Sequence, residues 1–211
     1  MRPLPLSRID RLNLGDHTEV TILALGRGIN TNGTLSPEGE ARVERTLNVA
    51  RAIKSRGYKV RIVWTGGKSL AQVKQHIVIG GAGSEGAAML VSAKNQLTPD
   101  DDFEQYEETV STSTVGNMAR STHLVKPDSL VVVVTDVLHC KYGRVWHAAR
   151  LALPLHDIRI VSMQSPYGRK QLVNQLLSAI VTAIGMLGVK RGDASAILKR
   201  QARLEDVLRR R

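Results

Sequence analysis

The chain has 211 residues, 42% of them hydrophobic and 23% charged, with a formal net charge of +11 and a pI of about 10.2. That balance predicts one or two folded domains and excludes a disordered chain. The single cysteine, Cys140, excludes an internal disulfide and a thiolate-rich metal site. Residues 1–6 carry an arginine and two prolines but no apolar leader, so neither a secretory signal nor an N-terminal anchor is expected. A cytoplasmic setting follows as the default.

In chain order, residues 1–17 read as a polar arm. Val20 to Leu25 is a short apolar run stopped at Gly26, the pattern of a buried strand. A glycine loop, 26–35, leads to Ser36-Pro37-Glu38, a helix start with a hydroxyl cap, an early proline and an acid facing the dipole. Val43, Leu47, Ala50 and Ile53 keep helical spacing until Gly57. Lys59 to Thr65 is a second strand, ending at Gly66-Gly67. In the insert 68–83, His76 to Ile79 reads as a short strand or a flap. Ser84-Glu85 opens a helix to about Asn95, and the acidic stretch 100–108 hides a third strand. A helix from Ser111 or Ser113 to Leu124 precedes Ser129 to Thr135, the strongest strand in the chain. A helix from Lys141 to Leu151, a strand from Ile158 to Ser162, a long apolar helix from Arg169 to Leu187 and a basic helix over 194–209 complete the chain. The alternation predicts a three-layer α/β, Rossmann-like domain over 18–190, with a mainly parallel sheet and a C-terminal helical extension, 191–211.

In such a fold ligands bind beyond the carboxyl ends of the strands. That rule gathers Gly26, Arg27 and Gly28, then Gly66 and Gly67, then Glu108 and Ser111, then Asp136 and His139 onto one edge. The first loop is neither a dinucleotide fingerprint nor a Walker loop, because Asn32 stands near where a third glycine belongs and no Gly-Lys-Ser/Thr follows. The glycines read equally as tight turns or as amide donors for an anion. Glu108 reads as an acid–base partner of His139 or as part of the acidic patch. Ser111 and Thr114 read as ligand contacts or as helix caps. Histidine ordinarily titrates near neutrality, so His139 is the candidate for proton transfer. No histidine spacing suits a metal, and none is expected.

Several segments resemble the SanA/ElyC/YdcF family: Leu25-Gly26-Arg27-Gly28, Arg45 with Ala50, Thr65-Gly66-Gly67, Ser84-Glu85-Gly86, Glu108 with Ser111, Thr114 and Asn117, and Thr135-Asp136-Val137-Leu138-His139. They follow the family's order over residues 20–150. Tyr142 stands where that pattern has an arginine, with Arg144 or Lys141 as its substitute. The resemblance implies a Rossmann-like domain whose pocket, lined by these residues and Arg45, holds a phosphate or carboxylate. One branch of the family is described as binding S-adenosylmethionine, so that cofactor is carried as an implication of the resemblance; otherwise the cofactor is open.

Two functions follow. One is an enzyme, a hydrolase or transferase, or a binding protein for a small anionic metabolite such as a nucleotide or sugar phosphate. The other is a nucleic-acid-binding accessory protein acting through the basic tail, since Lys190 to Arg211 carries five of the eleven net charges. With 3% aromatic residues, stacking on single strands has little support. Alternatively, Ile197, Leu198, Leu204, Val207 and Leu208 pack this segment on the domain or on a second copy. The helix at 169–187 is read as a core or dimer helix, because Asn174, Gln175, Ser178 and Thr182 interrupt a membrane-spanning pattern. A homo-oligomer through 169–208 is the corresponding expectation. A tail that stands apart predicts that its removal leaves the fold intact.

Overall fold

The computed structural model describes residues 4–26, 28–68, 72, 80–140, 143–163 and 169–209. Its centre is a parallel sheet of β1 (Leu4–Pro5), β2 (Glu19–Leu25), β3 (Lys59–Thr65), β4 (Glu104–Glu108), β5 (Leu130–Asp136) and β6 (Ile158–Met163), in the order β1-β6-β5-β2-β3-β4. All five pairings are parallel. The helices are α1 (Pro37–Lys54), α2 (Glu85–Lys94), α3 (Thr114–Ser121), α4 (Val137–Cys140), α5 (Arg144–Ala152), α6 (Arg169–Gly185) and α7 (Ala194–Arg209). This is the three-layer Rossmann-like α/β fold that the alternation predicts.

The central strands are continuous apolar runs because both faces of the sheet are covered. Side-chain alternation sorts them. Ile22, Ala24, Val132 and Val134 face one core, beneath α1 and α2. Leu23, Leu25, Val131 and Val133 face the other, beneath α3 and α5. Burying one such aliphatic side chain contributes roughly 1.5–3 kcal/mol before entropy is counted. The third strand is hidden in the sequence because β4 lies at the edge and is mostly acidic. Arg61 holds it, with Nε 2.9 Å from Glu104 Oε2 and its guanidinium 4.7 Å from the Tyr106 ring centroid. Charge on an edge strand also blocks pairing with another chain.

Three serines start three helices. Ser36 Oγ accepts from Gly39 N–H, Ser84 Oγ from Ala87 N–H and Ser113 Oγ from Gly116 N–H, at 3.1–3.2 Å. The helix expected from Lys141 to Leu151 is α5, Arg144 to Ala152, and the short α4 precedes it. Gly143, at φ 68°, stands at the start of α5 in a left-handed conformation that glycine adopts readily.

Both chain ends are built into the domain. Leu4 and Pro5 pair with Val161 and Ser162, and Leu12 and Leu14 are buried, so residues 4–14 are not simply a polar arm. At the other end, Ile197 of α7 is fully buried in the core that α3 and α5 cover. Gln201 Nε2 reaches Thr112 Oγ1 at 3.4 Å and Glu205 Oε1 at 2.5 Å. One side of α7 is therefore seated on the domain, while Lys199, Arg200 and Arg203 stay exposed. The segment His76 to Ile79 lies outside the described residues, as do Lys141 and Tyr142. No described helix is long and apolar enough to cross a membrane.

Candidate functional site

The chain builds β2, β3 and β4 outward in one direction, then returns to place β5 on the other side of β2. The switch point therefore lies between the ends of β2 and β5, where a crevice is expected. A buried ion pair fills it. Arg42, on α1, places Nη2 2.5 Å from Asp136 Oδ2, with the two side chains 0% and 1% exposed. Its Nη1 donates to the carbonyls of Leu25 and Gly26, the latter at 3.0 Å. Arg42 thus ties the end of β2 to the end of β5. It lies on the buried stripe of α1 beside Val43 and Thr46, and a cation on an apolar stripe is the sequence signal that marks it.

Asp136 also reaches His139, whose backbone N–H lies 3.4 Å from Asp136 Oδ1. His139 Nδ1 lies 3.1 Å from Thr135 Oγ1 and 4.0 Å from Asp136 Oδ2. The imidazole is held from behind by β5 and lines a polar cavity of about 280 Å³. From the strand ends, Gly26, Gly28, Gly66, Gly67 and Lys68 line the same cavity. From the helix starts come Glu85, Ser113, Thr114 and Arg144, with Ser111, Thr112 and Asn117 beside them and Gln72 opposite. The N-terminal ends of α2, α3 and α5 thus converge on one space, each bringing the positive end of its dipole.

The glycines act by close approach. Gly26 N–H donates to Thr65 O at 2.6 Å, Gly66 N–H to Glu108 O at 2.9 Å and Gly67 N–H to Ser111 O at 2.7 Å. The amides of these three glycines are engaged within the protein, as the tight-turn reading has it. A side chain at Gly26 would strike Glu85, with a Cβ only 2.0 Å from Oε2. Gly66, at φ 144°, would meet the same carboxylate at 2.8 Å. Gly67 would strike the backbone of 109–111. The two loops close around Glu85 because they lack side chains there.

Glu108 is buried but does not line the cavity. Its Oε1 accepts from Val110 N–H at 2.8 Å and Ser111 N–H at 2.9 Å, and its Oε2 accepts from Ser111 Oγ. Ser111 Oγ also contacts Asn117 Oδ1. The carboxylate fixes the loop that carries Ser111 to Ser113. The hydrogen bonds of Glu108 are with its own loop rather than with His139. Ser84 caps α2, Asp136 stands behind His139, and Arg45 is half-buried on α1; none of the three lines the cavity. Arg27 lies outside the described residues.

Lys68, Gln72 and Thr112 join the cavity without having been singled out from the sequence, and Ser113, read there as a helix start, joins it as well. Lys68 was legible as the residue after the Gly-Gly stop; Gln72 carried no signal. Arg144 is largely buried, and burial holds its pKa below the usual arginine value. A guanidinium desolvated in this way gains more from a bound anion than one in water. Cys140 is pushed up to about 12 by burial, reinforced by the charge of Asp136, and packs as a small apolar side chain. Among the described residues no group of three His, Cys, Asp or Glu side chains is placed to hold a metal. No family model, curated protein or solved structure matches this chain.

Proposed function

We propose that this chain binds a small phosphate-bearing metabolite in the polar cavity and acts on it by hydrolysis or group transfer. The observation that carries the reading is the convergence of Arg144, Lys68 and three helix N-termini on the space that His139 lines. Arginine and helix ends both favour phosphate oxygens. Thr135 holds the imidazole through Nδ1, so proton transfer to the ligand would pass through Nε2. Glu85 is the carboxylate within reach of the ligand, suited to accept from a sugar hydroxyl. That gives a nucleoside-bearing ligand, S-adenosylmethionine included, its best support as the second reading. The SanA/ElyC/YdcF resemblance agrees with a pocket at these strand ends, and the single cysteine agrees with a cytoplasmic setting.

Mass spectrometry of ligand released from the purified protein tests the class. Titration with inorganic phosphate, nucleotides and sugar phosphates then tests the residues. Arg144→Gln is expected to weaken phosphate binding about 10- to 100-fold, the loss of a charge-assisted contact. His139→Ala is expected to abolish turnover while leaving binding within a few-fold. Affinity indifferent to Arg144 and Lys68 would reject the reading.

A further inference from the structure

Helix α6 is apolar on both sides. Ala179, Ala183 and Met186, with Leu176 and Ile180 at the rim, line an apolar cavity of about 200 Å³ against α5. The outer side of α6 presents Leu176, Leu177, Ile180, Val181 and Ile184 to solvent, and Leu187 follows just beyond its end; Ile184 is 63% and Leu187 68% exposed. At 100° per residue the five side chains within the helix fall within an arc of about 140°, a continuous apolar stripe. Water would not leave such a stripe uncovered without cause.

The cover is indicated by charge. Lys190 and Arg191 are exposed three and four residues after Leu187. Arg200 of α7 reaches back with Nη2 3.4 Å from the Leu187 carbonyl, and exposed Lys199 and Arg203 flank it on the same helix. Gly185 packs on Leu204, holding the two helices together. The stripe thus ends in a cluster of cations on a chain of net charge +11. A second copy laid on this face would oppose like charges, and nucleic acid has no use for the apolar row. We propose that this face docks on an anionic lipid surface. In that docking α6 lies in the interface and its 17 residues do not span the bilayer.

Co-sedimentation of the full chain with vesicles tests this. Vesicles of phosphatidylcholine with one part in three phosphatidylglycerol are expected to bind the protein, and phosphatidylcholine alone to bind it far less. Leu177→Asp/Ile184→Asp alters positions that are 56% and 63% exposed and line neither cavity, and is expected to abolish binding, with circular dichroism unchanged. Lys190→Glu/Arg191→Glu is expected to weaken binding about tenfold or more, and high salt to do the same. The proposal is overturned by absence of binding to the anionic vesicles or by binding indifferent to Leu177→Asp/Ile184→Asp. It is overturned equally by a concentration-dependent dimer that this variant dissociates. Phosphate titration of the same variants reports on the cavity separately.

Discussion

Arg42 and Asp136 decide how β2 and β5 meet, and a buried pair is costly to break from one side. Arg42→Met removes the guanidinium from beside the buried Asp136 carboxylate and is expected to cost about 3–5 kcal/mol in urea unfolding. Arg42→Met/Asp136→Leu removes both charges and is expected to recover part of that loss. If the double variant is no better than the single, the cost lies in packing. Glycine positions give a second contrast. Gly57, at φ 88°, has nothing within 4 Å of an added Cβ, so Gly57→Ala carries backbone strain alone, about 1 kcal/mol. Gly66→Ala meets Glu85 as well, and is expected to cost more stability and to disturb ligand binding, which calorimetry reads together. Cys140, with its pKa at about 12, is expected to resist alkylation at pH 8 until the chain is unfolded.

At the scale of elements, the joins between helices and strands carry specific charges. Arg51 of α1 binds Asp101 just before β4, with Nε 3.1 Å from Oδ1 and Nη2 2.7 Å from Oδ2. Thr98 N–H and Oγ1 each lie 2.9 Å from Oδ2. The arginine beside it holds this carboxyl well below the usual aspartate range. The stabilisation is complete above the ordinary value of about 4 and is lost as pH falls through the folded value. Asp101→Asn is therefore expected to lower stability by about 1–2 kcal/mol at pH 7 and to flatten the acid limb of a pH–stability curve. The helix α7 makes the opposite case to a detached tail. Ile197→Ala removes a fully buried side chain and is expected to cost about 2–4 kcal/mol. Ending the chain at Asp193 should cost at least as much, read as a lower melting temperature. An unchanged melting temperature on truncation would restore the reading of residues 191–211 as separable.

For the whole molecule, the two proposed functional faces lie side by side. Arg144 lines the polar cavity and also the apolar one beneath α6, so the polar cavity and the exposed stripe share a wall. A rigid parallel sheet supplies the strand ends, and loops and helix starts supply the chemistry, the usual division of labour in this architecture. The basic excess is divided as well. Lys68 and Arg144 face the cavity, while Lys190, Arg191, Lys199 and Arg203 face solvent.

What the sequence determined by itself was periodicity and punctuation. The runs at Val20–Leu25 and Leu130–Thr135, the serine-capped helix starts and the glycine stops required only local rules, and they located both the sheet and the edge where His139 and Arg144 meet. Tertiary structure decided whatever depended on partners distant in sequence. β4 forms because Arg61 and Trp64 hold an acidic segment that has no strand pattern of its own. The glycine amides are engaged because the next strand's carbonyls lie opposite them, and Glu108 is engaged by its own loop. Arg42, 94 residues from Asp136, is placed by packing, since burial leaves a cation no stable option except the carboxylate and carbonyls that surround it.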